Sequence, residues 1–428
     1  VSDKVFNLDI DDLAYGPYGV GHKDRLVVLV PFTAPGDQGE IEIVQKKPNY
    51  AVGRMTRLLR ESSFRQTPAC AYFTECGGCA WQHVAYETQL AAKETLVADA
   101  LRRIGKLKDF EIMPIIASPS PYRYRGRVRF HVGRDGRLGF HKAFSHELVE
   151  VQSCPVAEPA VEALFESARE WSASLRTAIR EIELVAGAEG APGVLAAKAA
   201  GDFKPEDDAG AADLLARCPE IAGLILSGPK WRREWGRTAT DGDLNGGLSL
   251  RFDGGIFAQI NRHANREVIR RLLDWGEFGP ADRVLELFSG AGNLTLPMAR
   301  LATAVTAVES NRRAVANGKS NARLNGIDNI NWLSADAQKT VATLLQRGER
   351  FSKVVLNPPR HGAKELAHKV AEFSPRKILY VSCHPPTLAR DLSAIAKTGY
   401  RLRRVQPVDM FPQTFHVEAV AEMDRDEC

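Results

Sequence analysis

The chain has 428 residues, enough for two or three domains that each bury a core of their own. Hydrophobic residues make up 44% and charged residues 26%, the balance of a soluble globular protein, and no apolar run has the length of a membrane span. A net charge of +4 does not by itself call for nucleic acid.

The first residues, VSDKVFNLDI, lack the basic and apolar regions of an export signal. Seven cysteines without such a signal point to a reducing cytoplasm, where clustered thiols bind metal or do chemistry rather than pair.

The stretch 1–58 reads as short strands, DRLVVLVPF, EIEIVQKK and AVGRMTRLLR, separated by the turn-rich AYGPYGVGH and TAPGDQG. Strands at that spacing suggest a small OB-like barrel, either an RNA carrier or a plain structural β domain. A central region, 59–255, opens with Cys70, Cys76 and Cys79 and continues with an amphipathic helix in VAYETQLAAKETLVADALRRIG. In PYRYRGRVRFHV, Arg123, Arg125, Arg127 and Arg129 recur with period two, so one strand face is expected to carry four guanidinium groups. Such a row repels itself unless an anion lies across it: an RNA backbone, or scattered acidic partners. The rest, to about 250, reads as α+β with a flexible Ala/Gly-rich loop. KWRREWGR within it suits either base stacking or a surface hairpin.

From 256 to 428 strands alternate with helices, the pattern of a parallel Rossmann-like α/β sheet. VLELFSGAGNLTLPMA is a strand, a turn and a helix, with Gly290 and Gly292 allowing close backbone approach to a ligand. Glu309 ends the next strand, where a carboxylate binds ribose hydroxyls, and Asp336 follows the third, within reach of an adenine amino group. The turn is not GxGxxG, and the site reads as one for S-adenosylmethionine, with another adenine nucleotide as the rival.

Cys383 lies just past the end of the strand KILYVS, at the sheet edge where ligands bind. The NPPR loop, Asn357 to Arg360, forms a second wall, with Arg360 placed to hold phosphate or base, or to anchor the loop on a carboxylate. In the tail VDMFPQTFHVEAVAEM, His416 and Glu418 share a strand face, each free to be a base or to pair with an arginine; Glu418 is the expected base. A thiol and a base suit methylation of carbon 5 of uracil, a poor nucleophile until a thiolate adds to C6. Cys70, Cys76 and Cys79 with Cys154 make four thiolates, which by spacing fit zinc or an iron–sulfur cluster equally. Cys218 reads as an ordinary buried thiol and Cys428 as a tail residue.

FAQIN (257–261), LELFSGAGNLTLP, NPPRHG, YVSCHPPTLARD and DMFPQTFHVE, in this order and with CAYFTECGGCAWQH and SCPV before them, resemble the RNA (uracil-5-)-methyltransferases. The resemblance is nearer to the iron–sulfur 23S rRNA enzymes than to the tRNA T-loop enzymes. It implies an N-terminal TRAM domain and a cytoplasmic monomer that acts on RNA, 23S rRNA first and tRNA second. It makes Cys383 the nucleophile and Glu418 the base. Gln259, Phe288, Gly290, Asn293, Glu309, Asp336 and Asn357 would contact S-adenosylmethionine, and Cys70, Cys76, Cys79 and Cys154 would hold a [4Fe-4S] cluster.

The family usually has Asp in place of Asn357 and Asn in place of His384, so altered base contacts or rate are expected. These two substitutions motivate a rival reading of another class, a catalytically weak RNA-binding or assembly protein. An amino-methyltransferase is disfavoured because its loop would end in an aromatic where Arg360 stands. A cytosine-C5 enzyme is disfavoured because the Pro-Pro loop has no cysteine.

Overall fold

The computed structural model describes residues 5–133, 135–187, 190–244 and 246–425. Cys428 lies outside them. Cys218 is buried, as expected.

The N-terminal strands form one six-stranded sheet in the order Phe6–Asp9, Gln38–Lys46, Tyr50–Arg60, Leu26–Pro31, Tyr18–Lys23, Asp12–Leu13. Alternating residues of these strands, Leu8, Val28, Val30, Ile41 and Ala51, form the core on one face of the sheet. The buried Asp37 carboxylate ties the following chain down, accepting from Arg65 Nη2 at 2.7 Å and from the backbone N–H of Ala34 and Ser62.

The central seven-stranded sheet contains Arg127–Val132 beside Ile179–Val185. Here the arginine row departs from expectation. Burial does alternate, with Tyr124, Gly126, Val128 and Phe130 inward, but the strand begins only at Arg127. Arg123 sits in a turn with φ 52°, and Arg125 turns toward the cysteines. Arg127 pairs with Glu183, and Arg129 lies 3.5 Å from Glu181 and 3.3 Å from Glu183. The anion across those two arginines is therefore the neighbouring strand, IREIELV.

The C-terminal sheet holds the site. Its strands are β1 (Arg283–Leu287), β2 (Ala304–Glu309), β3 (Ile330–Ser334), β4 (Lys353–Leu356), β5 (Lys377–Ser382), β6 (Tyr400–Val408) and β7 (Glu418–Arg425). They lie in the order β3-β2-β1-β4-β5-β7-β6, with β7 antiparallel to both neighbours. β1, β4 and β5 are buried along nearly their whole length because helices cover both faces. These helices include α1 (Arg262–Gly276), α2 (Thr295–Ala299), α3 (Arg312–Leu324), α4 (Ala337–Gln346) and α5 (Pro385–Ala396).

Residues from before the central sheet complete this layer. The short strand Glu111–Ile112 extends the sheet beyond β6. The helix Tyr86–Asp99 buries Lys93 against Asp409, Nζ to carboxylate 2.6 Å, both side chains fully buried. Among the described residues no helix is long and apolar enough to cross a membrane.

Candidate active site

The carboxyl ends of the parallel strands meet at one edge, and the expected residues stand along it. Phe288 to Gly292 follow β1, Glu309 closes β2, Asp336 follows β3, Asn357 follows β4 and Cys383 follows β5.

The turn after β1 is held in a conformation that costs energy, with φ 65° at Phe288, 57° at Gly290 and 101° at Gly292. A Cβ on Gly290 would point into open space, so this glycine is required by its backbone and leaves room beside it. Glu309 braces the turn, accepting from the N–H of Gly290 at 3.1 Å and of Asn311 at 2.7 Å. Asp336 caps α4 through the N–H of Lys339, 2.9 Å. The amides of Asn293 and Asn265 exchange two hydrogen bonds of 2.9 Å, and both line a narrow cleft with Gln259. Next to Gln259, Phe257 is 73% exposed.

Behind the turn lies a group that sequence reading passed over. Glu286 is fully buried in β1 and accepts from Thr295 Oγ1 at 2.6 Å. Burial pushes its pKa up to about 8, the Thr295 hydrogen bond opposes this, and the charge of Glu309 adds to it. A carboxyl raised above its unfolded value contributes most below that value, and its contribution is lost as pH climbs toward the folded pKa. Glu286→Gln is therefore expected to raise the Tm by about 3 °C at pH 8 and by little at pH 5. Equal shifts at both pH values in thermal melts would show that folding does not raise the pKa of this carboxyl.

At the other end of the edge, Cys383 is partly buried after β5, and Glu418, the first residue of β7, is buried. Burial, then the charge of Glu418, push the Cys383 thiol up to about 11, while the Arg360 guanidinium, hydrogen-bonded to it, pulls it down. Burial pushes Glu418 up to about 8 against the same cation. Arg360 Nη2 lies 3.2 Å from His416 Nε2. Burial, then Arg360, push His416 down to about 3, so the ring is neutral and accepts from the guanidinium. Arg360 thus faces the Cys383 thiol and the Glu418 carboxyl.

His384, where the resemblance implies Asn, caps α5: its Nδ1 accepts from the N–H of Thr387 at 3.3 Å. An asparagine oxygen caps in the same way, so the substitution keeps the helix start. Burial and the nearby arginines lower the imidazole pKa and keep it neutral for that task. The Asn357 N–H donates to Leu287 O at 3.3 Å.

Cys70, Cys76, Cys79 and Cys154 line one cavity of about 500 Å³, together with Arg125 and Phe415. All four are free thiols. Among the described residues no three His, Cys, Asp or Glu side chains converge on a single metal ion. The segment after Cys79 is fastened to the catalytic tail. The N–H groups of Ala80 and Trp81 each donate to Gln413 O at 3.0 Å, and Gln89 Nε2 donates to Gln413 Oε1 at 3.0 Å.

A sheet in this order, with a strained glycine turn after its first strand and an acid closing the second, defines an S-adenosylmethionine-dependent methyltransferase. The thiol and carboxyl beyond it are the added feature. The family model for tRNA (uracil-5-)-methyltransferases matches residues 246–425. An uncharacterised RNA methyltransferase of Thermosynechococcus vestitus is 33% identical, over 97% of this chain and 97% of its own. The 23S rRNA (uracil(1939)-C(5))-methyltransferase RlmD of Aeromonas hydrophila is also 33% identical, over 97% of this chain and 95% of its own. The crystal structure of Pyrococcus abyssi tRNA (uracil-54, C5)-methyltransferase in complex with S-adenosyl-L-homocysteine shares the fold, with a TM-score of 0.74 over 98% of this chain and 100% of that one, at 23% identity. The chain belongs to the RNA (uracil-5-)-methyltransferase family.

Proposed function

We propose that this enzyme methylates carbon 5 of a uridine in 23S rRNA, with Cys383 as nucleophile and Glu418 as base. The observation that carries the residue roles is the thiol and the buried carboxyl set about one arginine, at the edge where the strained glycine turn also lies. The likeness to RlmD along nearly the whole chain supports the choice of RNA. A tRNA uridine is the second reading, favoured by the fold shared with the Pyrococcus abyssi enzyme.

The thiol first loses its proton to water, helped by Arg360. The thiolate adds to C6, and the C5–C6 π pair moves so that negative charge reaches the oxygen on C4. Bound S-adenosylmethionine supplies the methyl group that C5 takes up. Glu418, as carboxylate, then removes the C5 proton, the C5–C6 double bond re-forms and the Cys383 thiolate leaves. Gln259, Phe288, Gly290, Asn293, Glu309, Asp336 and Asn357 form the proposed cofactor wall. Arg123, exposed and outside the paired arginines, is the strongest remaining candidate of its row for RNA phosphate.

Cys70, Cys76, Cys79 and Cys154 are proposed to hold a [4Fe-4S] cluster of structural role. Four free thiols lining one cavity are compatible with such a cluster, and the resemblance of the cysteine motif is what favours it over zinc. The Gly78 N–H, which donates to Cys76 Sγ at 3.4 Å, and the cation of Arg125 suit an anionic group. The TRAM-like barrel over 1–58 is proposed as the RNA-docking unit.

Mapping 5-methyluridine in 23S rRNA and tRNA from cells with and without this gene tests the substrate. Loss from one rRNA position is expected, and loss from tRNA alone would replace the first reading by the second. Asn357→Asp is expected to change the rate, the cofactor affinity or the choice of base. All three unchanged in single-turnover and binding assays would remove Asn357 from the site.

A further inference from the structure

The N-terminal sheet reaches into the catalytic centre. Between the strands Asp12–Leu13 and Tyr18–Lys23 runs a turn, closed by the Ala14 N–H donating to Tyr18 O at 2.9 Å. Tyr15 projects from that turn. Its ring meets His384 edge-on at 5.2 Å, Phe415 at 5.4 Å and His416 at 6.4 Å. These neighbours belong to the loop carrying Cys383 and to the tail carrying Glu418. The ring therefore bridges the two halves of the chemistry from a different domain.

The phenol oxygen is buried and has no hydrogen-bond partner among the described residues. The charges it feels are those of Arg360, Cys383 and Glu418, and burial raises its pKa to about 12, so it is a neutral O–H donor. His416 Nδ1, on a neighbouring ring, is likewise buried and unpartnered, while its Nε2 is engaged by Arg360. Buried polar atoms are rarely left unpaired. Two together beside a nucleophile mark the place of a polar ligand atom.

We propose that Tyr15 is a catalytic residue that donates its phenol O–H to the oxygen on C4 of the target uracil as Cys383 adds to C6. Conjugate addition to the ring places negative charge on that oxygen, and a preorganised donor there lowers the barrier to adduct formation. This rests on the uridine-C5 reading above. It also gives the N-terminal domain a part in the chemistry, because a uridine is activated only where that domain has brought Tyr15 into place.

The test uses full-length protein, uridine RNA and the same RNA with 5-fluorouridine. Tyr15→Phe keeps the ring against His384 and Phe415. It is expected to slow single-turnover methylation at saturating RNA and cofactor about a hundredfold. Adduct formation with 5-fluorouridine RNA slows equally, with RNA affinity and Tm unchanged. Replacement of Tyr15 by 3-fluorotyrosine, a more acidic donor, restores the rate. A Tyr15→Phe rate within twofold of the native enzyme would overturn the proposal. So would weaker RNA binding with an undiminished saturating rate, which would make Tyr15 a docking residue. If the native enzyme itself forms no adduct with any RNA, the uridine-C5 reading fails, and the proposal with it.

Discussion

Cys383→Ala is expected to lower the single-turnover methylation rate by at least about 10⁴-fold. The reason is electronic. Without a sulfur on C6 the uracil ring never becomes an enolate, and no other residue of the site supplies that bond. S-adenosylmethionine affinity should stay within about twofold, because the proposed cofactor wall runs from β1 to β4 while Cys383 follows β5. The native enzyme should form a stable covalent complex with 5-fluorouridine RNA, since fluorine on C5 leaves no proton to remove. Cys383→Ala should form none. Residual methylation near the native rate, or a covalent complex in the alanine variant, would transfer the nucleophile's role elsewhere, whereas no complex of the native protein with any RNA would support the reading as an RNA-binding protein with a weak site.

Glu418→Gln has the second largest effect and a different signature. The base acts after methyl transfer, so its loss should stall the reaction with the RNA still attached. The variant is expected to turn over about 10²- to 10⁴-fold more slowly. It should accumulate a covalent complex with ordinary uridine RNA that carries the new methyl group. Removing the carboxylate also relieves the repulsion that helps hold the Cys383 thiol up, so attack is not impaired. In the native enzyme the base must be a carboxylate, and burial holds its pKa at about 8. The rate should therefore rise with pH more steeply below about pH 8 than above it, and the glutamine variant should keep only the rise that comes from the Cys383 thiol. A stalled complex seen by denaturing gel and mass spectrometry checks the assignment; loss of activity with no attached RNA would place Glu418 before the attack.

The catalytic sheet was legible because its strands are short apolar runs between amphipathic helices, and Cys383 because it stands at the end of one of them. Glu418 was legible through its motif, and its setting is more extreme than any pattern conveys: it is buried, and among the described residues Arg360 is the one cation that acts on it. The arginine row shows where reading stopped. Its alternation was real, but the glutamates that answer Arg127 and Arg129 lie about fifty residues on, in a strand whose own alternation was unremarked. Strand pairing across that distance is decided by packing, which leaves no local mark in either segment. Asp336 and His384 were read for ligand contact or as departures from a family, yet each also starts a helix. Tyr15 gave no sign at all, since its segment reads as a turn-rich connection between strands and its neighbours come from the far end of the chain.

Lys93 and Asp409 set a limit on dissecting this enzyme. Breaking such a pair from one side leaves a bare charge in the interior, at a cost of about 3–5 kcal/mol. The matched region 246–425 contains Asp409 but not Lys93, nor the strand Glu111–Ile112 that caps the sheet edge. The catalytic half is thus not a cassette. Its inheritance, and any recombination between relatives, is tied to a helix and an edge strand encoded well upstream, so a graft that keeps the sheet must carry both ends of the gene.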